Sequence, residues 1–212
     1  MRLFAELQEL LFPLYCHGCG LLGASLCSCC KDFYQIRNLQ SSIGTVPTFS
    51  AVAYNSIARR ILLASKEDGV RGADDLIVQA LEHSLRYAIW KTGRTPVLVP
   101  IPSSSKAVRK RGRDFLCEIS MRVSELVGLP TQSLLQHNRK VKDQTLLDAA
   151  ARYRNLEDAL VLKKRPTRLH EVFLVDDLVT TGATLNQAVK TLEMSGYRVV
   201  GAVTALVSLP LR

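Results

Sequence analysis

One stretch of the sequence decides the fold class: Val172-Phe173-Leu174-Val175-Asp176-Asp177-Leu178-Val179-Thr180-Thr181-Gly182-Ala183-Thr184. Its first four residues are apolar, which predicts a buried strand over 172–175. Two adjacent carboxylates end this strand, and a turn of small and hydroxyl-bearing residues opens a helix that we predict over 184–194. Ligands of open α/β sheets bind beyond the carboxyl ends of the strands, where this turn lies.

The turn after the acid pair has the composition of an anion-binding site. Residues 180–184 offer backbone N–H groups and three hydroxyls at a helix N-terminus, and Gly182 lets the backbone approach a ligand closely. Asp176 and Asp177 would repel a bare phosphate, so we expect them to face sugar hydroxyls or a bound cation beside it. The alternative is an Asp-rich strand end followed by a threonine that only caps the helix.

The rest of the chain from residue 51 alternates between β-type and α-type patterns. The apolar runs and helical spacings predict strands over 51–54, 96–100 and 197–207, and helices over 57–64, 76–88 and 115–127, the last stopped by Gly128 and Pro130. Short apolar strands that alternate with helices indicate an α/β fold with a parallel sheet flanked by helices. Residues 31–50 are mixed and polar, and we predict a linker there.

Five of the six cysteines lie within residues 16–30, in the segments 16–19 and 27–30. Two Cys-x-x-Cys pairs supply four thiolates, which is the number that a tetrahedral structural zinc site needs. Matching spacing favours Cys30 over Cys29 as the last ligand, and His17 inside the first pair is a further alternative. Disulfide pairing and a redox-active pair are the competing interpretations. The predicted zinc ligands are Cys16, Cys19, Cys27 and Cys30.

Composition and charge bound the possible functions. The 212 residues include 28 Lys+Arg and 19 Asp+Glu, a net charge of +9, with 47% hydrophobic and 22% charged residues. These values exclude collagen-like and fully disordered classes, and the length suits one domain of roughly 150 residues with a small appendage. Residues 106–170 hold 15 basic and 7 acidic residues, nearly the whole surplus. We expect phosphorylated or polyanionic partners at this block.

The sequence gives no reason to expect membrane insertion. No uninterrupted apolar run approaches the 18 or so residues that a transmembrane helix needs. Residues 1–12 are apolar but interrupted by Glu6, Gln8 and Glu9, which favours a short packing helix over a signal peptide. We therefore expect a cytoplasmic protein.

The strand, the acid pair and the turn at 180–184 together closely resemble the phosphoribosyl-diphosphate signature of type I phosphoribosyltransferases. The resemblance implies an α/β fold of that type, which binds phosphoribosyl diphosphate (PRPP) with Mg²⁺. It implies that Asp176 and Asp177 are catalytic and hold the ribose hydroxyls, while residues 180–184 hold the 5′-phosphate and residues 101–104 face the diphosphate. The implied PRPP-binding residues are Thr180, Thr181, Gly182, Ala183, Thr184, Ile101, Pro102, Ser103 and Ser104. Basic residues of the next segment would add contacts to the diphosphate, unless they form a solvated basic face; they are Arg109, Arg111 and Arg113.

Further residues resemble the ComF family, which joins a small N-terminal zinc finger to a phosphoribosyltransferase-like domain. They are the paired cysteines after Leu11-Phe12-Pro13, the series Tyr54, Ile57, Arg59 and Lys66, the segment 99–102 followed by Arg109, Arg111 and Gly112, and the series Arg139, Gln144, Arg154 and Asn155. The sequence departs from the family at Arg113-Asp114, where an aromatic residue and asparagine are usual. The resemblance implies a division into 1–46, with helix, zinc finger and linker, and 47–212, the phosphoribosyltransferase-like domain.

Two functions follow from the resemblance. One is a Mg²⁺-dependent phosphoribosyltransferase with an unidentified acceptor. The other is a non-catalytic or sensing module in DNA uptake, which acts with DNA-uptake proteins and binds single-stranded DNA through the basic block. Against the second, this block has only Phe115 and Tyr153 as aromatic residues, a thin platform for stacking bases.

Overall fold

The computed structural model describes residues 14–138, 160–163 and 171–209. The predicted N-terminal helix over 1–12 lies outside these residues, as do Tyr153, Arg139, Gln144, Arg154 and Asn155. The elements are α1 (Ser28–Phe33), β1 (Leu39–Ile43), β2 (Val46–Ala53), α2 (Ser56–Lys66), α3 (Arg71–Thr92), β3 (Val97–Pro100), α4 (Ser105–Arg111), α5 (Phe115–Val127), β4 (Leu135–His137), β5 (Leu160–Leu162), β6 (Glu171–Val179), α6 (Ala183–Glu193) and β7 (Arg198–Val207).

A five-stranded sheet in the order β1-β2-β7-β6-β3 forms the centre of the molecule. Strands β2, β7, β6 and β3 are parallel, and β1 joins the edge antiparallel to β2. A separate two-stranded sheet pairs β4 with β5. The predicted α/β class, a largely parallel sheet flanked by helices, is confirmed.

The helices cover the sheet because their apolar faces match its buried strands. α3 packs against β2 and β7, α5 against β3 and β6, and α6 against β6 and β7. Phe49, Phe115 and Phe173 are among the largest fully buried side chains of this core. Helix α5 has the predicted bounds, since Gly128 adopts a left-handed φ of 74° and ends it.

Strand β6 is longer than the predicted 172–175. It continues through the acid pair to Val179, because Asp176, Leu178 and Val179 keep the parallel register with β7. The two aspartates therefore lie within the paired part of this strand, near its C-terminal end, and not after it. Apolar residues after the acid pair, which still favour strand structure, explain the difference.

The predicted linker over 31–50 is wrong. Residues 39–43 form the edge strand β1, and β2 begins at Val46, so half of the segment belongs to the sheet. The alternation in β1 is weak, because only Ile43 of its five residues is buried. The boundary at 46/47 falls at the start of β2, and the division into two domains stays a prediction.

The cysteine segment packs beside α2 and α3. Tyr34, which is buried, donates a hydrogen bond from its hydroxyl to the Leu76 carbonyl at 3.0 Å. Asn55 caps α2 through its Oδ1 and donates from Nδ2 to the Phe33 carbonyl at 2.7 Å. Among the described residues, no helix has the length and apolar character that crossing a membrane requires.

Candidate functional site

A cavity of about 390 Å³ opens at the carboxyl edge of the parallel strands, where β3 and β6 end. The loop after β3, the acid pair of β6, the turn before α6 and the C-terminal end of α2 all reach it. Its walls therefore combine hydroxyls, carboxylates and cations from four separate segments. The lining residues are Leu62, Lys66, Ile101, Pro102, Ser103, Ser104, Ala107, Arg111, Phe115, Leu116, Asp176, Asp177, Leu178, Thr180 and Thr184.

The acid pair forms one wall of this cavity. Asp177 is 5% exposed and accepts a hydrogen bond from the Lys66 ammonium, which forms an ion pair with it. Asp176 is half-buried, and its Oδ1 accepts from the Asp177 backbone N–H at 2.9 Å. Burial, reinforced by the neighbouring Asp177 carboxylate, raises the pKa of Asp176 well above its ordinary range.

The turn between β6 and α6 presents exposed small residues to the same edge. Thr180, Thr181, Ala183 and Thr184 are exposed, and a hollow of about 40 Å³ lies among them. Gly182 has a φ of 74°, and a β-carbon there would lie 2.8 Å from the side chain of Ile43. Glycine is therefore required by both conformation and space at the N-terminus of the 11-residue helix α6.

The loop over residues 101–104 forms the facing wall. The Ile101 backbone N–H donates to the Val175 carbonyl at 2.9 Å, which ties the loop to β6. Ser104 caps α4 by accepting from the Ala107 N–H at 3.2 Å. Ser103 and the half-buried Pro102 face the cavity between these two anchors.

The three arginines predicted for the diphosphate do not lie together. Only Arg111 lines the cavity, where its guanidinium also pairs with Glu67. Arg109 lines a neighbouring hollow of about 350 Å³ on the other side of Ser103. Arg113 points away and binds the buried carboxylate of Asp74 at 2.9 Å.

Two charged residues at the end of α2 were not predictable for this site: Lys66 lines the cavity, and Glu67 pairs with Arg111 beside it. Lys66 stands out only through the family resemblance, and no sequence pattern indicates Glu67. Both lie at the C-terminal end of α2, where Lys66 is the last helical residue and Glu67 the cap. The signal available in the sequence was an amphipathic helix that ends in a charged pair, which is common on protein surfaces.

The structure brings four cysteines of the N-terminal segment together. The Sγ atoms of Cys16, Cys19, Cys27 and Cys30 all lie within 4.8 Å of one another, and the Cys19–Cys27 distance is 3.7 Å. A tetrahedral site with Zn–S bonds of about 2.3 Å requires S···S distances of about 3.8 Å. The four donors therefore fit a zinc ion in both number and spacing.

The environment of the thiols favours Cys30 over the alternatives. Cys30 is 3% exposed within the group, whereas Cys29 is exposed and outside it. The His17 ring lies against Gly72 of α3 and does not join the four thiols. Burial tends to raise the pKa of Cys16, but backbone N–H groups, led by that of Cys27, donate to its sulfur and lower the pKa to about 6. A thiolate at this position suits metal ligation.

Comparison with known proteins adds likeness in fold. No protein-family model matches the sequence, and no curated protein matches it. Among solved structures, the chain is similar to an adenine phosphoribosyltransferase at 13% identity, with a TM-score of 0.46 over 68% of this chain and 75% of that one. It is similar to orotate phosphoribosyltransferase from Aeropyrum pernix at 16% identity, with a TM-score of 0.39 over 84% and 77% of the two chains.

A third similar structure is the glutamine phosphoribosylpyrophosphate amidotransferase from B. subtilis complexed with ADP and GMP. The identity is 19% and the TM-score 0.37, over 53% of this chain. The match spans only 22% of the amidotransferase chain. These identities are below 25% and these TM-scores below 0.5, so the likenesses assign no activity to this chain.

A second surface of note lies on α3, away from the cavity walls. Trp90, the one tryptophan of the chain, is 72% exposed and stacks on Tyr87 with ring centroids 6.0 Å apart and planes at 23°. The Lys91 ammonium lies 5.0 Å from the Trp90 ring centroid. Tyr87 meets the buried Phe49 edge-on at 5.5 Å, which anchors the stack. A hollow of about 270 Å³ beside it is lined by Asn38, His83, Arg86, Tyr87 and Trp90.

Proposed function

We propose that the protein binds PRPP together with Mg²⁺ and transfers the phosphoribosyl group to an acceptor that is not yet identified. One observation carries the proposal: a single cavity joins the acid pair, the threonine-rich turn at a helix N-terminus and the serine loop at 101–104. These three parts match the sugar, the 5′-phosphate and the diphosphate of PRPP in chemistry and in order.

The proposed reaction breaks the bond between ribose C1 and the diphosphate oxygen attached to it. The electron pair of this bond leaves with the diphosphate. A lone pair of the acceptor forms the new bond to C1. Positive charge on the ring is stabilised by Asp176 and Asp177, which also hold the ribose hydroxyls. Backbone N–H groups and hydroxyls of residues 180–184 hold the 5′-phosphate, and residues 101–104 with Arg111 hold the diphosphate.

Magnesium fits this donor set. Mg²⁺ is usually bound through one or two carboxylates together with substrate phosphates, and Asp176 and Asp177 supply carboxylates at the cavity wall. When bound, the ion would neutralise charge on the departing diphosphate. Lys66, paired with Asp177, offers a cation at the same wall.

The N-terminal module is proposed to hold one structural zinc ion through Cys16, Cys19, Cys27 and Cys30. The spacing of the four sulfurs supports this assignment, and two of the four thiols are buried. Together with the sequence resemblance, the module supports membership of the ComF family.

A thermal-shift experiment tests the proposed substrate. PRPP with Mg²⁺ at about 100 times its Kd would add about 2.7 kcal/mol, or roughly 5–10 °C for a chain of this size. The double substitution Asp176→Asn and Asp177→Asn is expected to abolish the shift. Asp75→Asn is the matched control, because Asp75 lies in an exposed ion pair on α3. An undiminished shift in the double variant would refute the site assignment.

Turnover is tested separately from binding. Pyrophosphate release from PRPP is measured with a panel of nucleobases, amines and oligonucleotides as acceptors. Acceptor-dependent release establishes the transferase, whereas binding without release from any acceptor establishes a PRPP-sensing module in its place.

A second function, binding of single-stranded DNA, is favoured by the Tyr87–Trp90 stack. An exposed indole supported by a half-buried tyrosine, with a lysine ammonium close by, offers a ring on which a base stacks and a cation for the phosphates. The basic block over 106–170 has few aromatic residues, but Tyr87 and Trp90 lie outside it. The platform is separate from the cavity, so both functions are compatible.

Fluorescence of Trp90 tests this second function directly, since the chain has one tryptophan. Titration with oligothymidylate at low salt is expected to quench the emission, and rising salt should weaken the binding. By anisotropy of a labelled oligonucleotide, Trp90→Ala should reduce affinity about tenfold, because stacking is worth roughly 1–3 kcal/mol per base, while Trp90→Phe retains most of it. Equal affinity of Trp90→Ala and the unsubstituted protein would exclude this surface.

A further inference from the structure

Two adjacent residues at the C-terminal end of α2 form ion pairs with different cavity-lining residues. Lys66 pairs with Asp177 of the acid pair, and Glu67 pairs with Arg111 at the end of α4. The ligand contacts proposed above account for Arg111 but give Glu67 no role. Its position beside a cavity-lining cation raises the question of what the carboxylate does.

The Glu67–Arg111 contact is close and shielded. Arg111 Nη2 lies 2.6 Å from Glu67 Oε1, and the arginine side chain is 12% exposed. The hydrogen bond from Arg111 lowers the pKa of Glu67, which keeps the carboxylate ionised. Lys110 reaches the other carboxylate oxygen at 3.5 Å, but its side chain is 78% exposed. Arg111 is therefore the principal partner.

One donor of Arg111 is left over. Its Nε is buried and has no hydrogen-bond partner within the described parts of the chain. A buried guanidinium N–H without an acceptor is unfavourable, and native structures usually supply one. Arg111 lines the same cavity as Ser103 and Ser104, so an anion bound at this loop lies beside its guanidinium group.

We propose that Glu67 is a positioning residue, which holds the Arg111 guanidinium at the cavity wall, where it meets a diphosphate bound at residues 101–104. The inference rests on the proposed function and names a residue that sets the preference for diphosphate-bearing ligands. A carboxylate that holds one guanidinium donor fixes the plane of the group and leaves its remaining donors ordered for a second anion. This division is favourable because Arg offers five donors in a rigid plane.

A positioning role and a purely electrostatic role of Glu67 predict opposite changes in anion affinity when Glu67 is removed. Glu67 is a negative charge close to an anion site, so its removal would strengthen anion binding if charge alone mattered. If Glu67 positions Arg111, its removal weakens binding, because the guanidinium must then be ordered when the ligand binds.

The experiment measures binding of two probes by calorimetry in the presence of Mg²⁺. Inorganic pyrophosphate reports on the 101–104 loop, and ribose 5-phosphate reports on the acid pair and the 180–184 turn. Glu67→Ala is expected to weaken pyrophosphate about tenfold, the size of one charge-assisted hydrogen bond, and ribose 5-phosphate less than twofold. Glu67→Gln, which keeps an acceptor for Arg111, should fall in between.

Two further variants separate positioning from general effects. Arg111→Ala should weaken pyrophosphate at least as much as Glu67→Ala, and the double variant should be no weaker than Arg111→Ala alone. Lys110→Ala is the matched control, since it removes a cation from the same carboxylate but an exposed one, and should change affinity less than twofold. Melting temperatures of all variants establish that they are folded.

The outcomes distinguish the inference from the proposed function. If the unsubstituted protein binds neither probe, the proposed function fails and the inference with it. If it binds pyrophosphate and Glu67→Ala binds equally well or more tightly, only the inference is overturned. Parallel loss of both probes in Glu67→Ala also overturns it, because that pattern indicates a structural role for Glu67.

Discussion

Substitution of Arg113 by alanine is expected to destabilise the fold and to leave phosphate binding intact. The guanidinium donates to Asp74 Oδ2 at 2.9 Å and lies 3.0 Å from Glu118 Oε2. Asp74 is 5% exposed, and its other oxygen accepts from Ser65 Oγ at 2.6 Å. The guanidinium also lies 5.3 Å from the centroid of the Phe115 ring. The side chain therefore belongs to a buried network between α3 and α5.

The expected loss of stability depends on the Asp74 carboxylate, which Arg113→Ala leaves buried without its cationic partner. Removing one partner of a buried ion pair costs about 3–5 kcal/mol, because the other charge stays desolvated. The hydrogen bond from Ser65 persists, and the Arg113 side chain is 17% exposed, so we expect the lower end, about 3 kcal/mol. For a chain of this size that corresponds to a fall in Tm of about 6–12 °C.

Thermal and urea unfolding measure the effect, with Arg109→Ala as the matched control. Arg109 is exposed and forms no ion pair within the described residues, so its removal should change stability by less than about 0.5 kcal/mol. Adding Asp74→Asn to Arg113→Ala should recover part of the loss, since the unpaired charge is removed. An Arg113→Ala protein with unchanged Tm and lost pyrophosphate affinity would refute this reasoning and support the sequence-based role at the diphosphate.

Three further predictions concern the metal, the turn and the pH dependence. Metal analysis should find about one zinc per chain in Cys29→Ser and none in Cys30→Ser, since only Cys30 belongs to the four-thiol group. Gly182→Ala should weaken ribose 5-phosphate binding in calorimetry and cost roughly 1–2 kcal/mol of stability, because a β-carbon there meets Ile43 at a φ of 74°. The lowered pKa of Glu67 means that its stabilisation is complete above an unfolded-state pKa of about 4.3 and is lost as pH falls through the lower folded-state value. The Tm advantage of the unsubstituted protein over Glu67→Gln, from melts at several pH values, should therefore be constant above about pH 5.5 and shrink below about pH 4; an advantage that grows on acidification would contradict the assignment.

The sequence was sufficient to predict those strands and helices whose signals lie within a few neighbouring residues. The apolar run at 172–175 and the helix over 115–127 were predictable because burial periodicity and a terminating glycine both act within a few residues. The edge strand β1 was not, since four of its five residues are exposed or half-buried and pairing with β2 holds it in place. A strand specified by its partner leaves little trace in its own sequence.

The same distinction applies to the cavity. The acid pair and the 180–184 turn are contiguous, so one stretch of sequence predicted both. Lys66 meets Asp177 across 111 positions of the chain, and nothing in either segment specifies the other. The grouping of Arg109, Arg111 and Arg113 at the diphosphate could not be judged from the sequence for a related reason. Sequence shows that several arginines are close in the chain, whereas the helix α4 and the Gly112 turn send Arg111 and Arg113 to different partners.

Helix α2 connects the two features that the sequence presents as separate. At its N-terminal end, a β-carbon on Gly18 would lie 2.7 Å from Cys30 Sγ and 2.8 Å from Ile57, so the cysteine turn packs directly on the helix. Arg60 strengthens this contact by donating to the Gly18 carbonyl at 3.1 Å. At its other end, Lys66 reaches the acid pair. Eleven residues span about 16 Å as a rigid rod, so the packing of the cysteine module helps to fix where the ammonium meets the carboxylate. The module therefore supports one wall of the cavity through helix α2, which carries neither motif.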